Sequence, residues 1–262
     1  MDALFRQGER EFGASDVLAA LRRLGVKQGD TICVHSELIS FGALLVKKEK
    51  FLSQIVGALK SAVGESGTII IPTFTYSFCK NEPYDMLNSR STVGVLGEYF
   101  RKLSGVSRTR DPIFSFAVSG AKKEMFLMPS KTCLGKGSVY DVLAQVGGKI
   151  LILGTMEKGF TFTHYVEEEA GVSYRFYKEF KGEIIDEARR VGVWSVLYYV
   201  RHLDRPSEAD LNKQIELLKQ SDNFLVENVG NAPIVLIDAA RYKDKFLSAI
   251  RADEMAIIAT KE

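Results

Sequence analysis

The sequence predicts an α/β protein in which helices alternate with strands and cover both faces of a sheet, with antiparallel strands added in the C-terminal half. Two observations carry that prediction. Short apolar, β-branched runs recur between stretches whose apolar residues are spaced three and four apart, the alternation expected when helices connect the strands of one sheet. The section from Tyr177 to Asp204, "YKEFKGEIIDEARRVGVWSVLYYVRHLD", breaks that rhythm with aromatic and β-branched residues, the composition of paired antiparallel strands. Neither a linker nor an internal repeat divides the 262 residues.

Each element can be justified in turn. "ASDVLAALRRLGV" offers Ser15 as N-cap, repeats apolar residues at Val17, Leu18, Leu21 and Leu24, and stops at Gly25, so it reads as an amphipathic helix. "GDTICVHSEL" is a strand whose carboxyl end carries His35 and Ser36. A second helix, "KEKFLSQIVGALKSAVG", leads into the strand "GTIIIPTFTY", which ends at Pro72 and opens into a polar, aromatic loop. The helical "STVGVLGEYFRKLSG" has Ser91 near its start, and "DPIFSFAVSG" follows as a strand. A short helix from about Ser138 precedes "KILILGT", the strongest buried strand pattern in the chain. After the antiparallel section come a helix in "EADLNKQIELLKQ", a strand in "APIVLIDAAR", a helix around "KDKFLSAI" and an apolar close, "EMAIIAT".

Composition excludes several classes of function. A net charge of +2 from 35 basic and 33 acidic residues is too small to imply a nucleic-acid partner. No apolar run approaches the roughly 20 residues a membrane span needs, and no signal-peptide pattern opens the sequence, so the expectation is a cytoplasmic protein without a membrane partner. Three widely spaced cysteines, Cys33, Cys79 and Cys133, fit neither a disulfide framework nor a clustered metal site. Cys33 reads as a small core residue.

Ligands of open α/β sheets sit beyond the carboxyl ends of the strands. Three strand ends lead into unusual loops: His35-Ser36, Pro72 to Thr75, and Gly154 to His164. They are expected to converge. His164 and Glu167, three apart in "GFTFTHYVEEEAG", would share a helix face. On spacing alone they also fit a capped helix start, with Thr161 or Thr163 as cap, glutamates complementing the helix dipole, and Glu168 and Glu169 in solvent. No second histidine stands at metal-ligand spacing as in H-E-x-x-H, so no metal is assigned. "LGKGSVYDVL" lacks the P-loop order, and Ser138 with Asp141 forms a capping box there. Neither a G-x-G-x-x-G nor a G-x-S-x-G motif is present. His202 receives no role.

Seven segments, taken in order, carry a resemblance that covers nearly the whole chain. They are "VHSEL" for H-S-S-L, "GTIIIPTFTY" for G-T-L-x-x-P-T, "STVGVLGEYFR" for G-x-x-x-E-x-F-R, "RTRDPIFSFAVSG" for R-S-x-H-P-x-x-S-F, "LGKGSVYDVL" for G-x-G-S, "GGKILILG" for G-x-x-L-L-L-G, and "FTHYVEEEAG" for T-S-x-H-x-x-E. In these the chain resembles the aminoglycoside 3-N-acetyltransferases and their relatives in antibiotic and surface-sugar biosynthesis. The resemblance implies a single domain over residues 1–262, a central mixed sheet flanked by helices, and direct transfer of an acetyl group from acetyl-CoA to a small-molecule amine. The protein would act as a monomer or a homodimer. It also implies that His164 activates the amine, with Glu167, Glu98 and Asp111 as candidate catalytic carboxylates. The coenzyme surface would include His35, Ser36, Leu38, Pro72, Thr73, Phe74, Thr75, Ser115, Phe116, Gly137 and Ser138, with Lys136 placed to meet a phosphate. Hydroxyls or amides around Ser36, Thr73 or Ser115 are candidate donors to the oxyanion.

The chemistry suits these residue types. An ammonium must lose a proton before it attacks a thioester, and imidazole accepts protons near cellular pH. Two departures bear on the acceptor: Asp111 replaces the motif's histidine, and Glu37 replaces the second serine of H-S-S-L. Aminoglycosides carry several ammonium groups, and this chain is close to neutral overall. The expected acceptor is therefore a biosynthetic amino sugar, with nucleotide linkage open, and an aminoglycoside antibiotic is the alternative. A metal-dependent hydrolase using His35 and His164 and a non-catalytic binding protein are the more distant readings.

Overall fold

The computed structural model describes residues 3–260. In chain order the elements are β1 (Phe5–Gln7), β2 (Arg10–Phe12), α1 (Ala14–Arg23), β3 (Thr31–Ser36), β4 (Ala43–Leu44), α2 (Lys48–Val63), β5 (Thr68–Pro72), β6 (Tyr84–Asp85), α3 (Val95–Phe100), β7 (Ser107–Arg108), β8 (Phe116–Gly120), α4 (Lys123–Leu127), α5 (Val139–Gln145) and β9 (Lys149–Leu153). Then follow α6 (Phe162–Ala170), β10 (Arg175–Ile185), β11 (Val191–Arg201), α7 (Leu211–Gln220), β12 (Leu225–Val229), β13 (Ala232–Asp238) and α8 (Ala239–Ala252).

Seven strands form the central sheet in the order β12-β13-β9-β3-β5-β8-β7. It is mixed, as expected. The inner strands β9, β3 and β5 run parallel, while β13, β12, β8 and β7 join antiparallel. Alternate residues of the inner strands enter two different cores. Ile32, Val34, Ile69, Ile71, Leu151 and Leu153 pack with α1, α2 and α3, whereas Cys33, Ile70, Ile150 and Ile152 pack with α5, α6 and α8. Burial on both faces explains why these strands read as unbroken apolar runs. At about 25 cal/mol per Å², each such side chain contributes roughly 1.5–3 kcal/mol.

The antiparallel section is a hairpin of two 11-residue strands, β10 and β11, extended by a short parallel pairing with β6. It lies outside the central sheet.

Some local expectations are corrected. α1 is capped by Gly13, whose N–H reaches the Asp16 carboxylate at 2.7 Å, so Ser15 sits inside the first turn. The helix expected from Ser91 starts at Val95, after Gly94 at φ +65°. Ser91 is used elsewhere: its N–H is taken by Glu98 and its hydroxyl by the Val93 carbonyl. Ser138 does cap α5, accepting from the Asp141 N–H, although the Asp141 carboxylate takes the Gly137 N–H, so the reciprocal half of the box is missing. "EMAIIAT" is a turn closed by one bridge, Ala209 to Ile258.

Candidate active site

The three expected loops converge beyond the carboxyl ends of β3, β5 and β9. They line a cavity of about 690 Å³: His35, Ser36, Glu37 and Leu38 from β3, Pro72, Phe74 and Tyr76 from β5, and Thr155, Lys158, Gly159 and Thr161 from the loop after β9. The place follows from topology. Chain leaves the neighbouring strands β3 and β9 on the same side of the sheet, so their loops splay around a crevice. Two glycines let the walls close. A Cβ at Gly97 would lie 2.3 Å from the Pro72 carbonyl oxygen, and one at Gly159, whose φ is +98°, would lie 2.9 Å from His35 Cβ. Across the mouth, Lys158 pairs with Glu37.

His35 forms part of the cavity wall. Its Nε2 meets the Tyr140 hydroxyl at 3.3 Å, and the two rings stack with centroids 6.4 Å apart. Tyr140 also hydrogen-bonds Thr161. Burial holds the His35 ring down to about 4, because the surrounding apolar core disfavours the cation. At neutral pH it is an uncharged hydrogen-bonding group.

His164 opens α6 in a different setting. Its side chain is 29% exposed, and Nδ1 lies 2.7 Å from the wholly buried Glu167 carboxylate. Arg175, the first residue of β10, is itself 3% exposed and reaches the same carboxylate oxygen at 2.8 Å. The Tyr174 hydroxyl donates to the other oxygen at 3.1 Å. Burial alone would raise the Glu167 carboxyl, but the hydrogen bond and charge of His164 and the charge of Arg175 outweigh it and hold the group below its ordinary value. With an Nδ1–H donating to the ionised carboxylate, the stronger acceptor, Nε2 keeps its lone pair; Arg175 Nη2 stands 2.9 Å from the same Nδ1 and competes for it. This is the arrangement of a base held in one tautomer.

Thr161, His164 and Glu168 are spaced by three and four residues and share one face of the helix. Thr161 lines the cavity, and Glu168 lines a second hollow of about 540 Å³ with Thr132, Gly135, Gly137 and Tyr177. His164 lies on the same face, between Thr161 and Glu168 in sequence, and is not itself among the lining residues of either hollow. Thr161 occupies the N-cap position without a side-chain cap bond, and the Thr163 hydroxyl turns into the core to Gln214 and Tyr242. The cap reading of these threonines is thus corrected. So is the placing of Glu168 in solvent: it accepts from Tyr177 at 3.3 Å, bonds Thr132, and is raised by burial. Glu169 is exposed, as expected, and pairs with Lys243 at 3.7 Å.

Of the other residues singled out, His35, Ser36, Leu38, Pro72 and Phe74 face the cavity. Thr73, Thr75, Ser115 and Phe116 lie buried beneath it. Thr73 and Ser115 bond each other and share the buried Arg108 guanidinium, so their hydroxyls are spent and Ser36 is left as the oxyanion candidate among the three. Gly137 lines the second hollow and Ser138 is a buried cap; among the described residues neither lines the first cavity. Lys136 is exposed on the second hollow.

The two remaining carboxylates have partners other than His164. Glu98 pairs with Arg101 and Lys102; burial raises it, yet these partners and the Ser91 N–H bring it down to about 2. Asp111 accepts the Ile113 and Phe114 N–H groups at 2.8 and 2.6 Å and is raised by burial. Both hold loops in place. Sequence reasoning missed Arg175, Tyr174 and Tyr140. A charged residue in an aromatic strand pattern is a weak signal until its buried partner is known. Among the described residues, no group of three histidine, cysteine or acidic side chains is placed to hold a metal, and no helix is long and apolar enough to cross a membrane.

Comparison with known proteins fits this geometry. An aminoglycoside N(3)-acetyltransferase III of Salmonella is 29% identical over 180 residues, a match spanning 60% of this chain and 60% of that protein's own length. An aminoglycoside N(3)-acetyltransferase VII of Streptomyces paromomycinus is 25% identical over 210 residues, covering 72% of each. Among solved structures, AAC-IIIb in a binary complex with CoASH superposes with a TM-score of 0.78 at 24% identity, covering 96% of this chain and 99% of that one. A mutant of aminoglycoside acetyltransferase AAC(3)-IVa in complex with apramycin gives 0.76 at 21%, covering 95% and 96%. These likenesses show the fold. With a match to the family model for aminoglycoside 3-N-acetyltransferase over residues 33–248, the chain belongs to that family.

Proposed function

We propose that the chain is an acetyl-CoA-dependent N-acetyltransferase whose acceptor is an amine of an aminoglycoside. The observation that carries this reading is the His164–Glu167 pair, set on a helix that runs from the cavity at the strand ends to the second hollow. In the proposed reaction acetyl-CoA lies in the first cavity and the acceptor approaches from the second. The amine nitrogen attacks the thioester carbonyl carbon while its proton passes to His164 Nε2. The C–N bond forms, the C–S bond breaks, and the proton ends on the departing thiolate. A donor to the intermediate's oxygen is worth about 2.7–4 kcal/mol in such reactions; Ser36, which lines the first cavity, is the candidate hydroxyl.

The acceptor expected from composition was a biosynthetic amino sugar, and family membership favours the aminoglycoside alternative instead. Net charge was a poor guide, because recognition depends on local groups, and Glu168 and Glu169 bring acids to the second hollow. The test is thiol release from acetyl-CoA with a panel of aminoglycosides and simple amino sugars. Turnover on an aminoglycoside, abolished in His164→Ala, supports the reading. Release with simple amino sugars alone returns the acceptor to the first expectation, and full activity in His164→Ala sinks the assigned base.

A further inference from the structure

We propose that Arg175 is a positioning residue that offsets the charge of Glu167 at His164, so that the imidazole can both take the acceptor's proton and give it up to the leaving thiolate. The inference rests on the reading of His164 as the base.

Its support is geometric. Arg175 Nη2 lies 2.8 Å from the Glu167 oxygen that faces His164 and 2.9 Å from His164 Nδ1 itself. Nη1 donates to the Tyr199 carbonyl oxygen at 3.2 Å, which fixes the plane of the guanidinium. Among the described residues the buried Nε has no partner, so the side chain accepts an unmet donor in order to hold this orientation. A carboxylate buried beside an imidazole with no counter-charge would favour the imidazolium strongly, and a base that never releases its proton cannot serve the leaving thiolate. A guanidinium keeps its charge at any working pH and presents two donors in a fixed fork. Here both the Nδ1–H and an arginine N–H aim at one oxygen, so each limits what the other gains.

Further groups face this cluster from several elements, the Tyr199 hydroxyl of β11 and the Tyr242 hydroxyl of α8 among them. Glu168 stands on α6 beside His164 and is held by Tyr177 of β10. The Tyr174 hydroxyl holds the second Glu167 oxygen. Glu254, beyond α8, bonds Ser173 next in the chain. All of these are retained in the variants below, so they do not confound the comparison.

The test is an NMR titration of the His164 ring in the full-length protein, assigned by loss of its signals in His164→Gln. It needs no acceptor. In Arg175→Met the titration is expected to move to higher pH by about one unit or more, the effect of removing a like charge within a few ångströms. With acceptor, the acid limb of kcat/KM should move the same way and kcat should fall more than KM for acetyl-CoA changes. An unmoved titration in folded Arg175→Met overturns the proposal. Should that variant fail to fold, Glu167→Gln and Glu167→Gln/Arg175→Met read the same effect. The double variant should titrate higher than the single one, and identical midpoints overturn it. Full activity in His164→Ala would instead bring down the underlying reading, which keeps the two failures apart.

Discussion

Two histidines were singled out as candidates, and their surroundings are opposite. His35 stands near the end of β3 in the cavity wall, where its ring meets Tyr140 and the Cys33 sulfur, the latter at 3.9 Å. Burial keeps it uncharged. His164 opens a helix against a buried ion pair, where one nitrogen is claimed by Glu167 and the other is left to act. The same side chain is thus a neutral wall in one place and a candidate proton acceptor in the other. Residue type nominates a function; the dielectric and the nearest charge decide it.

That contrast can be broken from either side. The largest effect is expected at Glu167→Ala. Arg175 would be left buried without a counter-ion, and removing one partner of such a pair costs about 3–5 kcal/mol. Urea denaturation measures it, and a loss below about 1 kcal/mol would mean that the pair is not desolvated as described. Gly159→Ala comes next, because it places a Cβ 2.9 Å from His35 Cβ at φ +98°. The expected cost is about 1–3 kcal/mol, with weaker acetyl-CoA binding as the loop lifts off His35. An alanine variant with unchanged thermal stability and unchanged affinity would show that the wall is looser than drawn.

The pH dependence of stability sharpens the same contrast. His35 is held at about 4 in the fold and titrates near ~6.5 unfolded. Between those values the unfolded chain binds the extra proton, so stability rises with pH. This contribution is complete above about 6.5 and is lost as pH falls toward 4. Denaturation at pH 7.5 and pH 4.5 should therefore show a smaller difference for His35→Phe than for the unsubstituted chain; equal differences would contradict the burial argument. An effect of the same size as that of Gly159→Ala is expected at Tyr174→Phe. Loss of one hydrogen bond to a buried carboxylate should cost about 1.5–3 kcal/mol at most, and it leaves Arg175 and His164 to hold Glu167. A loss well beyond that range would make Tyr174 more than a supporting donor.

Much of this was legible in the sequence because it depends on patterns that do not need tertiary knowledge. β3, β5 and β9 are buried on both faces, so they show as continuous apolar runs, and topology alone then places their loops together. His164 and Glu167 were legible as a pair because helix geometry fixes residues three apart. What stayed hidden depends on distant partners. Arg175 sits in an aromatic strand, and nothing local announces that it meets Glu167. Glu98 and Asp111 looked as eligible as Glu167 until Arg101 and the Ile113 and Phe114 amides claimed them. Thr73 and Ser115 looked like free hydroxyls because Arg108, which occupies them, lies 35 and 7 residues away in sequence. The small sheet β2-β1-β4 was also unread; its strands are only two or three residues long, too short for a period to show.

Parallel steady-state kinetics of His164→Ala and His35→Ala, varying acetyl-CoA at saturating acceptor, test the division of labour most directly. The account predicts that His164→Ala lowers kcat by on the order of 10²–10⁴-fold, the usual range for a general base, with little change in KM for acetyl-CoA. His35→Ala should raise that KM and keep most of kcat. The reverse pattern, with kcat collapsing in His35→Ala and surviving in His164→Ala, would contradict it.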